Sequence, residues 1–397
     1  MPDIYQFQKR LEKTAEQVKK GALFRKEDTA DMTNFYRFVL AKGLSPGRIL
    51  KYIYTLRTLS KLLKKPFREA NKDDIIELVG KIQKSDKWSD WTKRDMKNIT
   101  KKYYAWLAGI EEDGKYPELV VWITTRMKNK RRLPEEILTE KEIKQLAEAA
   151  TNKRDRAFIL ALYESGARIG EFMGLRIKNL MFDDYGCVLR LDGKTGARRV
   201  RVVAATPALK TWLEKHPFKT KPNAQLWSKT NNKDPEKRLT YRYVTKLLRR
   251  YAKRSGITKR ANPHAFRHAR ATFLANKLTD RQMKEFFGWV KSETISTYTH
   301  LSGRETDATI LKIYGKATNN NEQSILTEKV CEKCKTVNDT AAMFCKKCGH
   351  PIDAAEKGRV VEDLVFDFLT IIADENPKIK NKFRQLVKER KMEEFFR

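Results

Sequence analysis

Pro263-His264-Ala265-Phe266-Arg267-His268 reads as the entry to a helix that runs on through residues 269–277. Three more patches stand in order around it. Gly166-Ala167-Arg168-Ile169-Gly170-Glu171 begins a helix that continues with Phe172, Met173 and Leu175. Cys187–Leu191 and Arg199–Val203 flank Asp192-Gly193-Lys194-Thr195-Gly196, a hairpin signal with Lys194 at its tip. Phe287-Gly288-Trp289 precedes Tyr298 in Ser296-Thr297-Tyr298-Thr299-His300. Each patch alone has a plain structural reading: an exposed arginine at a helix start, a solvent-facing lysine in a turn, an H-x-x-R pair by chance, a packed tyrosine. As an ordered set, the four acquire a common meaning.

The set resembles the tyrosine site-specific recombinases, the family of phage integrases and Xer recombinases. Arg168 in SGARIGE matches the family's first arginine, and Lys194 the lysine between two strands. HAFRH matches the H-x-x-R-H box with His264 and Arg267. Trp289, preceded by Gly288, takes the position that holds His or Trp, and Tyr298 in YTH matches the nucleophile. The resemblance covers residues 133–302 by motif and implies a metal- and ATP-independent DNA strand transferase. Tyr298 would attack the scissile phosphate to give a 3′-phosphotyrosine. Arg168 and Arg267 would grip the non-bridging oxygens, and Lys194 would protonate the leaving 5′-oxygen. His264 would take the tyrosine's proton or hold the phosphate. Trp289 can donate one N–H but cannot carry a proton. Glu171 would anchor Arg168 or His268.

The resemblance further implies double-stranded DNA at specific recombination sites as partner, a homotetramer on that DNA, and a Holliday-junction intermediate. Because the chain continues well past Tyr298, an integrase of a mobile element is the expectation. The alternatives are an Xer-like resolvase of chromosome or plasmid dimers, a DNA-binding regulator that keeps the fold without catalysis, and a type IB topoisomerase-like enzyme.

The expected fold class is α/β and mostly helical. An all-α core-binding domain, a DNA clamp, takes residues 1–128; its apolar residues, among them Phe35, Val39, Ile49, Ile53 and Leu56, recur at helical spacing. A helix over 91–107 places Trp91, Met96, Ile99, Tyr103 and Trp106 on one face and lysines on the other. The basic run 128–132 before Pro134 marks a linker, 129–134. A mixed α/β catalytic domain, 135–316, follows, and Thr139 with Glu142 is a capping box opening its first helix. Within it, 240–254 reads as a helix with one apolar and one basic side. Residues 317–328 form a second linker, 329–353 a zinc ribbon and 354–397 C-terminal amphipathic helices. The segment 303–316 is a candidate for docking on a neighbouring subunit.

Charge points the same way as the motifs. The 397 residues carry 84 Lys+Arg against 50 Asp+Glu, a formal +34, and a surplus of that size suits a polyanionic partner bound with counterion release. No apolar run is long enough to span a membrane, and the N-terminus lacks a secretory apolar region, so the expected place is the cytoplasm, at the nucleoid. No acidic cluster suited to two-metal cleavage stands out.

Four of the five cysteines, Cys331, Cys334, Cys345 and Cys348, fall as C-x2-C-x10-C-x2-C. Two such knuckles suit one closed, structural tetrahedral Zn2+ site, with no metal in the chemistry itself. Two disulfides are the competing reading, and they need an oxidising compartment. Phe344 is expected to supply much of the ribbon's core, and Cys187 to be a small core residue.

Overall fold

The computed structural model describes residues 5–110, 114–126, 136–193, 196–231, 233–275, 277–290, 295 and 324–352, and the chain divides near residue 131 into two compact units. The linker placed at 129–134, the segment 303–316 and the helices placed at 354–397 lie outside the described residues, as does most of the linker at 317–328.

The first unit is helical: α1 Phe7–Lys19, α2 Thr29–Ala41, α3 Pro46–Leu63, α4 Lys72–Lys84, α5 Asp90–Leu107 and the single turn α6 Glu118–Val121. Pro46 sits in the first turn of α3, where a missing N–H costs nothing. Asn71 and Asp74 form a capping box on α4. The core is the i, i+3, i+4 stripe of each helix, with Phe35 edge-on to both Tyr103 and Trp106 at 5.1 Å. One expectation fails here. Trp91 is 58% exposed; it lies one turn before the buried stripe begins at Met96, and Arg94 covers its ring at 5.4 Å instead.

The second unit is built around α8 Lys153–Ser165, whose residues from Arg154 onward are all buried except Arg156. A helix buried all round belongs at the centre of a domain. Against it pack α7 Glu140–Glu148, α10 Thr206–Glu214 and α12 Pro263–Leu274, while the turn α9 Ile169–Phe172 lies on the sheet, α11 Tyr241–Arg254 packs on α7, and α13 Asp280–Phe287 packs on α12 and the sheet. The Thr139–Glu142 capping box is present. Two of the three charged residues buried on α8, Arg154 and Asp155, pair with each other, and Tyr251 donates to Asp155 at 2.7 Å.

The sheet is antiparallel in the order β1 Leu180–Asp183, β2 Gly186–Gly193, β3 Gly196–Val202. The hairpin is longer than its apolar cores suggest, because pairing continues to Gly193 opposite Gly196. The strand β1 was not expected. Most of its side chains are exposed, so it carries no alternation to read. Cys187 is fully buried, and burial pushes its thiol up to about 12, as befits an inert core residue.

Candidate functional site

Three of the elements around α8 end at one place. Gly166 closes α8 in the left-handed conformation, φ +53°, and the chain then turns so that Arg168 stands at the N-cap of α9. Asn262 caps α12 by accepting from the Ala265 N–H at 2.9 Å, and Pro263 opens the helix. That cap fixes His264 in the first turn and Arg267 in the second. The third element is α13, opened by a Thr279–Gln282 capping box and closed by left-handed Gly288.

The closing turn of α13 organises the site. Trp289 N–H bonds the Lys284 carbonyl at 3.0 Å and Gly288 N–H the Glu285 carbonyl at 3.4 Å, the pair that makes a Schellman turn. The next three carbonyls each accept from a different arginine. Arg198 Nε donates to Phe286 at 3.0 Å, Arg267 Nη2 to Phe287 at 2.8 Å and Arg168 Nη2 to Gly288 at 2.9 Å. Cations at a helix C-terminus are favoured by its dipole, and here the orphan carbonyls of that end are the acceptors.

Further bonds fix each guanidinium. Arg267, 6% exposed, also donates to the Gly166 carbonyl at 2.8 Å and lies over the rings of Phe287 and Trp289 at 5.2 and 5.6 Å. Arg168, about one third exposed, contacts Glu171 at 3.0 Å, and Arg198 reaches the same carboxylate at 2.7 Å. Burial acts to raise the Glu171 carboxyl, but the two guanidiniums outweigh it and hold the group below the usual carboxylate range. A carboxylate between two arginines neutralises only one of them, so the site stays cationic.

Trp289 is half-buried and stacks on Phe287 at 4.7 Å. His264 is exposed, with its ring 6.2 Å from that of His268 one turn along α12. The structure thus brings Arg168, Arg267 and Trp289 together at the end of α13, with His264 one turn before Arg267 on α12. Lys194 and Tyr298 lie outside the described residues. Their described neighbours are Gly193 and Gly196 on the hairpin and Ile295, which is buried with Ala271, Met283 and Phe287. Arg198 was missed by sequence reasoning, although it shares the period-2 face of Val200 and Val202, both buried.

The second candidate site is the cysteine cluster. Short strands β4 Lys329–Val330 and β5 Val337–Asn338 pair antiparallel, and residues Lys335 and Gly349, one past each second cysteine, are left-handed. The four Sγ atoms lie within 4.8 Å of one another, Cys331 to Cys348 at 3.7 Å and Cys334 to Cys345 at 3.5 Å, and none is in a disulfide. The four cysteines can therefore hold a metal ion. Phe344 does not fill the ribbon's core: it is 46% exposed. It lines a cleft of about 280 Å3 between the ribbon and the residues Ala150–Lys153, Arg156, Ala208 and Thr211. A fold this small has no interior to offer a large ring.

Comparison with known proteins places residues 136–305 in agreement with the phage integrase family model. The tyrosine recombinase XerC of Pelotomaculum thermopropionicum is 32% identical over 202 residues, 48% of this chain and 63% of the relative, so under two thirds of that protein is covered. XerA of Pyrococcus horikoshii is 24% identical over 71% of this chain and 92% of its own length. Among solved structures, XerH bound to palindromic difH, a post-cleavage complex, matches 78% of this chain and 95% of its own at 18% identity with a TM-score of 0.54. A lambda integrase tetramer bound to a Holliday junction matches 68% and 76% at 16% identity with a TM-score of 0.50. At these identities the structural likeness speaks for the fold. Among the described residues no helix is long and apolar enough to cross a membrane.

Proposed function

We propose that this chain, whose residues 136–305 match the phage integrase family model and which is similar to the XerC and XerA tyrosine recombinases, is a tyrosine recombinase that cleaves and rejoins double-stranded DNA at specific sites through a 3′-phosphotyrosine. The observation that carries this reading is the fixing of Arg168 and Arg267 to the adjacent carbonyls of Gly288 and Phe287. Two always-charged forks are set in place before any substrate arrives, which is what stabilises charge developing on a phosphate without reorganisation.

In the proposed reaction the Tyr298 phenolic oxygen forms a bond to phosphorus as the bond from phosphorus to the 5′-oxygen breaks. The tyrosine's proton passes to His264 or to solvent, and Lys194 supplies a proton to the departing oxygen. The reverse steps, with a 5′-hydroxyl of the partner strand as nucleophile, reseal the DNA and regenerate the free tyrosine. No metal enters this sequence. Four protomers on two duplexes and a Holliday-junction intermediate belong to the same proposal, supported by the lambda integrase complex of like fold. Work at the nucleoid in the cytoplasm belongs to the same proposal, since that is where such a DNA substrate would be met.

The ribbon is proposed to hold one structural Zn2+. Bonds of about 2.3 Å in a tetrahedron put sulfurs roughly 3.8 Å apart, close to the separations of 3.5 and 3.7 Å found here. Four thiolates leave no position for water, so the ion would serve folding and not catalysis.

Two biological settings fit the reaction. A mobile-element integrase is the setting proposed first, and an Xer-like resolvase of chromosome or plasmid dimers is the second, in keeping with the likeness to the XerA and XerC tyrosine recombinases. Selecting bound duplexes from a random library gives the site, and a suicide duplex nicked beside it traps the covalent adduct. Wild type is expected to form the adduct and Tyr298→Phe to bind the same DNA without forming it. An adduct that survives in Tyr298→Phe overturns the reading, and a wild type that binds but never forms one marks a regulator. Relaxation of supercoils without joining two sites would identify a topoisomerase.

A further inference from the structure

We infer that Arg198 is a positioning residue for the proposed reaction, acting on the delivery of the leaving-group proton. The inference rests on the recombinase reading above but assigns a role to a residue outside the six candidates named from the sequence.

Arg198 lies on β3, two residues after Gly196 and opposite Leu191 in the hairpin. Its side chain is 7% exposed, unlike those of its strand neighbours Arg199 and Arg201, which face solvent. Arg201 is spent on Asp183 at the outer edge of the sheet, at 2.7 Å. Arg198 instead points inward and makes two contacts at the end of α13. Its Nε holds the Phe286 carbonyl at 3.0 Å, and its Nη2 meets Glu171 at 2.7 Å.

The hairpin end is pressed on the same carboxylate. A Cβ on Gly193 would stand 2.3 Å from Glu171 Oε1 and 2.7 Å from its Cδ. Gly193 and Gly196, the residues on either side of positions 194 and 195, therefore belong to strands whose inner surface is fastened, through Glu171 and Arg198, to the body that holds Arg168 and Arg267. A directional Nε–H bond to Phe286 together with a buried ion pair to Glu171 suits this better than apolar packing, because the bond sets an angle and the ion pair a short distance. Without Arg198, β3 would lose its bond to α13 and Glu171 would lose one of its two cations. The hairpin end would keep its backbone pairing but not its seat on the site. A displacement of about 1 Å at a proton donor is enough to cost on the order of 100-fold in rate.

The test separates proton delivery from the gripping of phosphate. Full-length wild type, Arg198→Met and Arg198→Lys are compared on two suicide duplexes of the selected site. One carries the ordinary 5′-oxygen at the scissile bond and the other a bridging 5′-sulfur, a leaving group that departs without a proton. For Arg198→Met the expected result is a loss of about 100-fold in adduct formation on oxygen and under 10-fold on sulfur, at unchanged DNA affinity. Arg198→Lys should recover part of the loss on oxygen. Equal losses on both duplexes would overturn the inference and make Arg198 a support of the phosphate grip or of the fold; so would no loss on oxygen. If Arg198→Met does not fold, Arg198→Lys is read alone by the same ratio of oxygen to sulfur rates. A wild type inert on both duplexes would instead defeat the recombinase reading itself.

Discussion

Gly166 abuts the edge of the Phe287 ring: a Cβ there would stand 2.4 Å from Cε1. The contact joins the end of α8 to the end of α13, and the Gly166 carbonyl on the same turn accepts from Arg267 at 2.8 Å. Backbone conformation and space both demand glycine at this position.

Gly166→Ala is therefore expected to destabilise the second unit by about 2–4 kcal/mol, the sum of left-handed strain and overpacking. Chemical denaturation measures it. Phe287→Leu in the same chain should give back part of the strain, a coupling that a double-mutant cycle reads directly. Additive effects of the two substitutions would contradict the contact.

Glu171→Gln should cost about 3 kcal/mol, because two guanidiniums then face each other across a neutral amide. The acid side of the stability curve carries the signature. The folded carboxyl lies below its usual range, since the arginines outweigh the effect of burial. Its contribution is fully present above the unfolded value of about 4.3 and is lost as pH falls through the lower folded value. Denaturation midpoints across that window should fall more steeply for wild type than for Glu171→Gln.

Glu164 holds the chain where β3 hands over to α10. Its buried carboxylate accepts from the N–H groups of Val203, Ala204 and Ala205 at 2.7, 3.1 and 2.8 Å. Glu164→Ala strands three buried donors and is expected to cost about 3–5 kcal/mol, with Glu164→Gln costing less because one acceptor oxygen survives. Thermal unfolding of the two variants against wild type checks the order.

Chelation of the metal proposed for the cysteine cluster should release one ion per chain, measured by elemental analysis, and unfold the ribbon. The ribbon borders α8 and α10, with Arg156 4.0 Å from Asp339. The second unit should therefore melt at a temperature lower by a few degrees, about 2–4 °C for each kcal/mol lost. Cys345→Ser should reproduce the shift. Retention of full stability after complete removal of the ion would count against a bracing role.

The sequence by itself determined what local rules can reach. The stripes of α3 and α5, the Thr139–Glu142 cap, the glycine-bounded hairpin and the knuckle spacing of the cysteines are each set by residues a few positions apart. The four chemistry-bearing patches could be named for the same reason, as their residue types and order sit in the chain itself. Only the tertiary structure decided that Trp91 faces solvent, that Phe344 looks out of the ribbon, and that Arg198, not Arg199 or Arg201, reaches the site. It alone revealed that the carbonyls of Phe286, Phe287 and Gly288 are shared among three arginines drawn from positions 168, 198 and 267. Backbone carbonyls have no letter in a sequence. Which of them a helix leaves unpaired, and which distant side chain arrives to pair with it, is settled only when the elements pack.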